Sequence, residues 1–138
     1  MDIAIIGTGN VGKALGTSLV RAGHDVIFAG RDEAKAERVA SEIGATAEAT
    51  PREAADKSEV VLLAVPFGQL EAAADVIGAS ADGKVVIDAT NPLKADYSGL
   101  ANAGGESAAE RLAARLPSAH VAKAFNTLFA SVQADPST

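Results

Sequence analysis

The chain has 138 residues, 48% hydrophobic and 22% charged, enough apolar material for one soluble domain expected to span residues 1–138. Eighteen acidic residues against twelve basic ones leave a net charge of −6, which argues against nucleic acid as a partner while leaving room for a local cluster of cations around a single phosphate. Cysteine is absent and His24 and His120 are the only histidines, which excludes disulfides, thiolate chemistry and a zinc site; no apolar run reaches the roughly 20 residues of a bilayer span, so no membrane partner and a cytoplasmic location are expected.

Ile3 to Ile6 reads as a short buried strand, and Asn10 to Ala22 as a helix with Val11, Leu15 and Leu19 on its apolar face, stopped by Gly23. A second strand, Val26 to Ala29, is followed by a helix whose Ala36, Val39, Ala40 and Ile43 share one face before Gly44. Thr46 to Ala49 is a weak third strand and Pro51 opens a short helix. Val60 to Val65 is apolar throughout, the pattern of a central strand buried on both faces. Leu70, Ala73, Ala74 and Ile77 then mark a helix, Val85 to Ile87 a fifth strand, and Asn91 to Gly99 a loop. A last amphipathic helix carries Ala109, Leu112, Ala113 and Leu116 ahead of a sixth strand, Val121 to Phe125. Strands alternating with helices predict a three-layer α/β fold of the Rossmann type: a doubly wound parallel sheet in the order 3-2-1-4-5-6, with its ligand beyond the carboxyl ends of strands one and four.

Gly7, Gly9 and Gly12 form G-x-G-x-x-G between the first strand and the first helix, the context a dinucleotide fingerprint requires. The first glycine permits the tight turn, the second admits a pyrophosphate to the backbone, and the third lets helix and strand pack closely. Domains that prefer NAD place a carboxylate at the end of the second strand, but Ala29, Gly30 and Arg31 stand there. A guanidinium suits a 2′-phosphate, so NADP(H) is the expected cofactor, with Lys35 one helical turn on and Arg38 a turn further. Asp32 reads as the helix cap, with a ribose contact as the alternative.

Ala64, Val65 and Pro66 end the fourth strand, and with Phe67 the turn to Gln69 offers an apolar shelf on the nicotinamide side; Phe67 reads equally as a core aromatic. Asn91, before Pro92, offers an amide to a carboxamide or ribose at the tip of the fifth strand, and Asn126 follows the sixth, where it and Thr127 read alternatively as a helix cap. His24 and His120 fall at the wrong end of the sheet for catalysis.

The run IAIIGTGNVGKALGTSLVRAGHDVIFAGR, then VVLLAVPFGQL, VVIDATNPL and VAKAFNTL, together resemble the NADPH-dependent reductases of the 8-hydroxy-5-deazaflavin coenzyme F420. The resemblance implies hydride transfer between NADP(H) and F420, with Thr8, Gly9, Asn10 and Val11 at the pyrophosphate and Arg31 on the 2′-phosphate. In such chemistry the protein holds two rings face to face and excludes water, so no catalytic acid, base or metal is required. Two departures accompany the resemblance. Gly30 stands where a hydroxyl residue often precedes the arginine, and the family continues beyond the sixth strand into helices that complete the deazaflavin pocket and a homodimer, whereas this chain stops at Thr138. Two other readings stay open: reduction of another small redox acceptor (flavin, quinone or ferric complex), and an NADP-binding module without turnover.

Overall fold

The computed structural model describes residues 1–94, 96–101 and 105–137. Its strands are β1 (Asp2–Ile6), β2 (Asp25–Ala29), β3 (Thr46–Ala47), β4 (Val60–Leu63), β5 (Val85–Asp88) and β6 (His120–Lys123). The helices are α1 (Asn10–Arg21), α2 (Glu33–Ile43), α3 (Pro51–Asp56), α4 (Leu70–Ile77), α5 (Ala108–Arg115) and α6 (Ala130–Ala134). The strands form one six-stranded sheet in the order β3-β2-β1-β4-β5-β6, and every pairing is parallel. This is the doubly wound Rossmann arrangement read from the alternation of strands and helices.

The uninterrupted apolar strands are explained by two cores, one on each face of the sheet. Ala4, Ile6, Val61, Leu63 and Val86 pack with Ala54 and Ala55 of α3, Leu70, Ala74 and Ile77 of α4, and Ala108 and Leu112 of α5. The alternate residues Ile3, Ile5, Val26, Phe28 and Leu62 meet Leu15 of α1 and Ala36, Val39 and Ala40 of α2. A strand's side chains alternate between faces, so burial on both leaves few polar positions, Asp88 at the end of β5 being one.

Phe28 is fully buried, a burial that contributes about 1.5–3 kcal/mol. It sits against α1 where Gly16 leaves space: a Cβ at Gly16 would lie 2.6 Å from the Phe28 ring and 3.0 Å from Ile43. Gly16→Ala is therefore expected to overpack this face and lower stability by about 1–3 kcal/mol, measurable by urea unfolding.

Several boundaries differ from the sequence reading. The strand expected over Val60 to Val65 ends at Leu63, because the chain turns there to pass Gly7. The third strand stops at Ala47 rather than Ala49. The sixth runs His120–Lys123 instead of Val121 to Phe125; Phe125 takes a left-handed φ of 68°, which breaks the extended chain and sends it across the molecule. That segment ends in α6, held to α1 by hydrogen bonds from Ser18 Oγ to the Gln133 carbonyl and from Arg21 to the Ala134 carbonyl, the latter 3.1 Å. Helix α5 and its C-cap residue Leu116 bury Ala108, Leu112 and Leu116 at four-residue spacing, while Ala113, expected on the core face, is exposed. Ala73 of α4 likewise lies at the edge of the core rather than within it.

Candidate functional site

The parallel register brings the carboxyl ends of β2, β1 and β4 level: Ile6 pairs with Ala29 on one side and Leu63 on the other. Beyond these ends opens a cleft of about 520 Å³, within the range that holds a cofactor. Its floor is Ile6, Gly7, Thr8 and Gly9, one side is Gly30, Arg31, Asp32 and Lys35, and the other is Ala64, Val65, Pro66 and Gln69. Three separate stretches of sequence therefore meet at the topological switch point between β1 and β4.

The three fingerprint glycines have distinct surroundings. Gly7 has a φ of +122°, and a Cβ on it would lie 2.2 Å from the Ala64 carbonyl oxygen, so only glycine fits where the first turn crosses the end of β4. A Cβ on Gly12 would lie 2.3 Å from the Gly7 carbonyl oxygen, which is the close helix-to-strand packing expected of the third glycine. A Cβ on Gly9 would meet nothing within 4 Å. That open side belongs to the cleft, and it is the approach that a pyrophosphate needs. Gly9 is also the N-cap of α1, whose first turn has neither a side-chain cap nor an acidic residue; its amides face the cleft end with their partial positive charge uncompensated. Asn10, Val11 and Gly12 form that first turn, behind the lining of the cleft.

Arg31 and Lys35 lie on the β2 side, both exposed. Among the described residues neither forms an ion pair, whereas Lys13 pairs with Glu42, Lys57 with Glu48, and Arg111 and Arg115 with Glu71. Asp32 caps α2 by accepting the Lys35 backbone N–H at 3.1 Å, as its position after the strand suggested. Arg38 does not line the cleft; its charge contributes, after the hydrogen bond and charge of Lys13, to holding the Glu42 carboxyl below the ordinary range. The cleft thus presents two cations and a helix N-terminus on one side of the fingerprint turn, a combination that fits a phosphate-bearing dinucleotide.

The opposite wall was not legible in the sequence. Pro51 at the start of α3 and Ala72, Ala73 and Val76 on α4 line it, and Val76 is 45% exposed. Its signal was Val76 itself, an apolar residue outside the core-facing positions of an amphipathic helix. At the other end of the cleft the shelf is made by Val65 and Pro66. Phe67 lines a separate, smaller recess with Leu70, Ala108 and Arg111, half-buried against the edge of the core, and does not form part of the shelf.

Asn91, Pro92 and Asn126 lie outside the cleft lining. The Asn91 side-chain amide donates to the Asn126 carbonyl at 2.8 Å, tying the tips of β5 and β6 together. The alternative cap role for Asn126 and Thr127 is overturned, because Phe129 is the N-cap of α6 and no side chain caps it. Among the described residues no helix is long and apolar enough to cross a membrane, and no group of three or more His, Cys, Asp or Glu side chains is placed to hold a metal.

A family profile described as NADP oxidoreductase, coenzyme F420-dependent, matches residues 2–92. The F420-dependent NADP reductase of Methanothermobacter marburgensis is 37% identical over 98% of this chain and 67% of its own length. That of Methanothermobacter thermautotrophicus is 37% identical over 95% and 63% respectively. The rat metalloreductase STEAP3 is 30% identical over 97% of this chain but only 26% of its own length. Among solved structures, one from Arthrobacter sp. FB24, provisionally described as an F420-dependent NADP-reductase, superposes with a TM-score of 0.87 at 29% identity, covering 99% of this chain and 67% of that one. The chain thus spans about two thirds of the length of the reductases it resembles.

Proposed function

The chain belongs to the coenzyme F420-dependent NADP oxidoreductases, a family whose redox pair is NADP(H) and F420, and from that premise we infer that its cleft binds NADP(H) for hydride exchange with a deazaflavin. The observation that carries the reading is the pairing of an open Gly9 with unpaired cations at Arg31 and Lys35 along one cleft. In this reading the α1 N-terminus and the backbone from Thr8 to Val11 receive the pyrophosphate. Arg31, assisted by Lys35, takes the 2′-phosphate beside Gly30, while the Asp32 carboxylate on the same side is engaged as the cap of α2. Pro51, Ala72, Ala73 and Val76 give the adenine an apolar wall. Val65 and Pro66 support the nicotinamide end, which extends toward Asn91, Pro92 and Asn126.

NADP(H) bound there supplies or accepts the hydride, and the nicotinamide and deazaflavin rings carry the electron pair between them. The contribution of this chain is to hold one ring at the cleft mouth and keep water from it. Both redox partners are small cytoplasmic molecules in this reading, and a second copy of the chain is the expected assembly partner.

Calorimetric titration with NADPH and NADH, followed by F420 added to the saturated complex, tests the reading. NADPH preference followed by a second binding event supports it; absence of dinucleotide binding overturns it, and NADPH preference without that event leaves a cofactor-binding module. The similarity to a metalloreductase over almost the whole chain favours one second reading, in which the same NADP half serves another acceptor. A screen of ferric chelates, flavins and quinones with NADPH separates the two.

A further inference from the structure

Asp88 is fully buried at the carboxyl end of β5, directly opposite Lys123 in the register of β6. The Lys123 ammonium donates to Asp88 Oδ2 at 3.2 Å and also to the Thr90 carbonyl. The other carboxylate oxygen of Asp88 accepts the Thr90 backbone N–H at 2.8 Å. One ion pair therefore holds both backbone polar groups of Thr90, and the next residue, Asn91, is tied to β6 by its own side chain. The pair is buried only on its Asp88 side, the Lys123 side chain keeping 29% of its surface accessible, and a buried carboxylate of this kind is commonly matched in stability by an apolar residue of similar volume. What an apolar pair would not supply is the grip on the Thr90 peptide.

That peptide follows the carboxyl end of β5, outside the cleft lining but beside β4, whose continuation from Ala64 to Pro66 lines the cleft. With the pyrophosphate over the β1 turn and the 2′-phosphate beyond β2, the other half of the dinucleotide runs past β4 toward β5. We propose that Lys123, acting through Asp88 and the Thr90 carbonyl, is a positioning residue that sets the Thr90–Asn91 peptide and through it the orientation of the nicotinamide ring. This rests on the reading of the cleft as an NADP(H) site. Lys123 lies on β6, two strands beyond β4 at the edge of the sheet, and does not line the cleft where the phosphate and adenine contacts are placed, so affinity and ring placement are separable.

The test is titration of the whole chain with NADPH, reading both the dissociation constant and the emission of the bound dihydronicotinamide. Lys123→Met is expected to keep the dissociation constant within about threefold, since most binding contacts lie elsewhere, while the bound ring loses the emission change seen with the wild type. Lys123→Arg, which keeps the two donors, restores it. Asp88→Asn, which keeps an acceptor for the Thr90 N–H and removes the charge, gives a smaller shift of the same kind and serves if Lys123→Met does not fold. Wild-type emission from NADPH bound to Lys123→Met or, where that variant does not fold, to Asp88→Asn overturns the proposal, as does a fall in affinity that accounts for the whole change in signal. Failure of the wild type to bind NADPH is a different result and overturns the reading of the cleft itself.

Discussion

Gly9→Ala is expected to weaken NADPH and NADH binding equally, by about 2–3 kcal/mol or roughly a hundredfold, while leaving the fold standing. Gly9 has a φ of −79°, which alanine adopts without strain, and its Cβ would meet no protein atom within 4 Å. The loss of stability should stay within about 1 kcal/mol, the penalty for alanine at a helix N-cap. The methyl group would instead stand in the cleft and hold the pyrophosphate off the α1 amides. The loss is then that of charge-assisted hydrogen bonds in a geometry that requires contact. Thermal melting and calorimetry on the same sample separate the two effects: a variant that melts with the wild type and binds NADPH with wild-type affinity would remove the pyrophosphate from this turn. Gly7 is the contrast, because alanine there would collide with the Ala64 carbonyl and the fold itself would suffer.

Arg31→Ala is expected to separate the two dinucleotides. NADPH should lose about 1.5–3 kcal/mol of binding, the range of hydrogen bonds to a charged partner, while NADH changes little. Arg31 is exposed and has no ion-pair partner among the described residues, so its removal leaves no carboxylate stranded and the loss reports on the ligand alone. The effect should shrink as salt is raised, since an exposed cation is screened. An equal loss for both dinucleotides would place Arg31 on a shared part of the molecule and remove it from the 2′-phosphate.

Much of the sheet was legible because parallel strands buried on both faces have few polar positions to confuse the pattern. Val60 to Leu63 and Ile3 to Ile6 announce themselves for that reason. The strand ends were less legible: an apolar run such as Val60 to Val65 does not reveal where hydrogen bonding gives way to a turn, and Phe125 reads as strand until its backbone is seen at a φ of 68°. Core faces on short helices were also misjudged at Ala73 and Ala113, since alanine is equally at home in a core and on a surface.

For the site, the sequence by itself determined the fingerprint turn, the absence of a carboxylate at the end of β2 and the presence of Arg31 there, because these depend on residue type within a local strand-turn-helix unit. Tertiary structure alone decided which of these residues share a cleft, since Thr8, Arg31 and Val65 meet only through strand register. It also decided that Arg38 lies outside the cleft, that Phe67 packs half-buried against the edge of the core, and that Asp88 and Lys123 pair across two strands whose connection spans more than thirty residues. Such contacts follow from the crossing of distant segments, and no local pattern of residues encodes them.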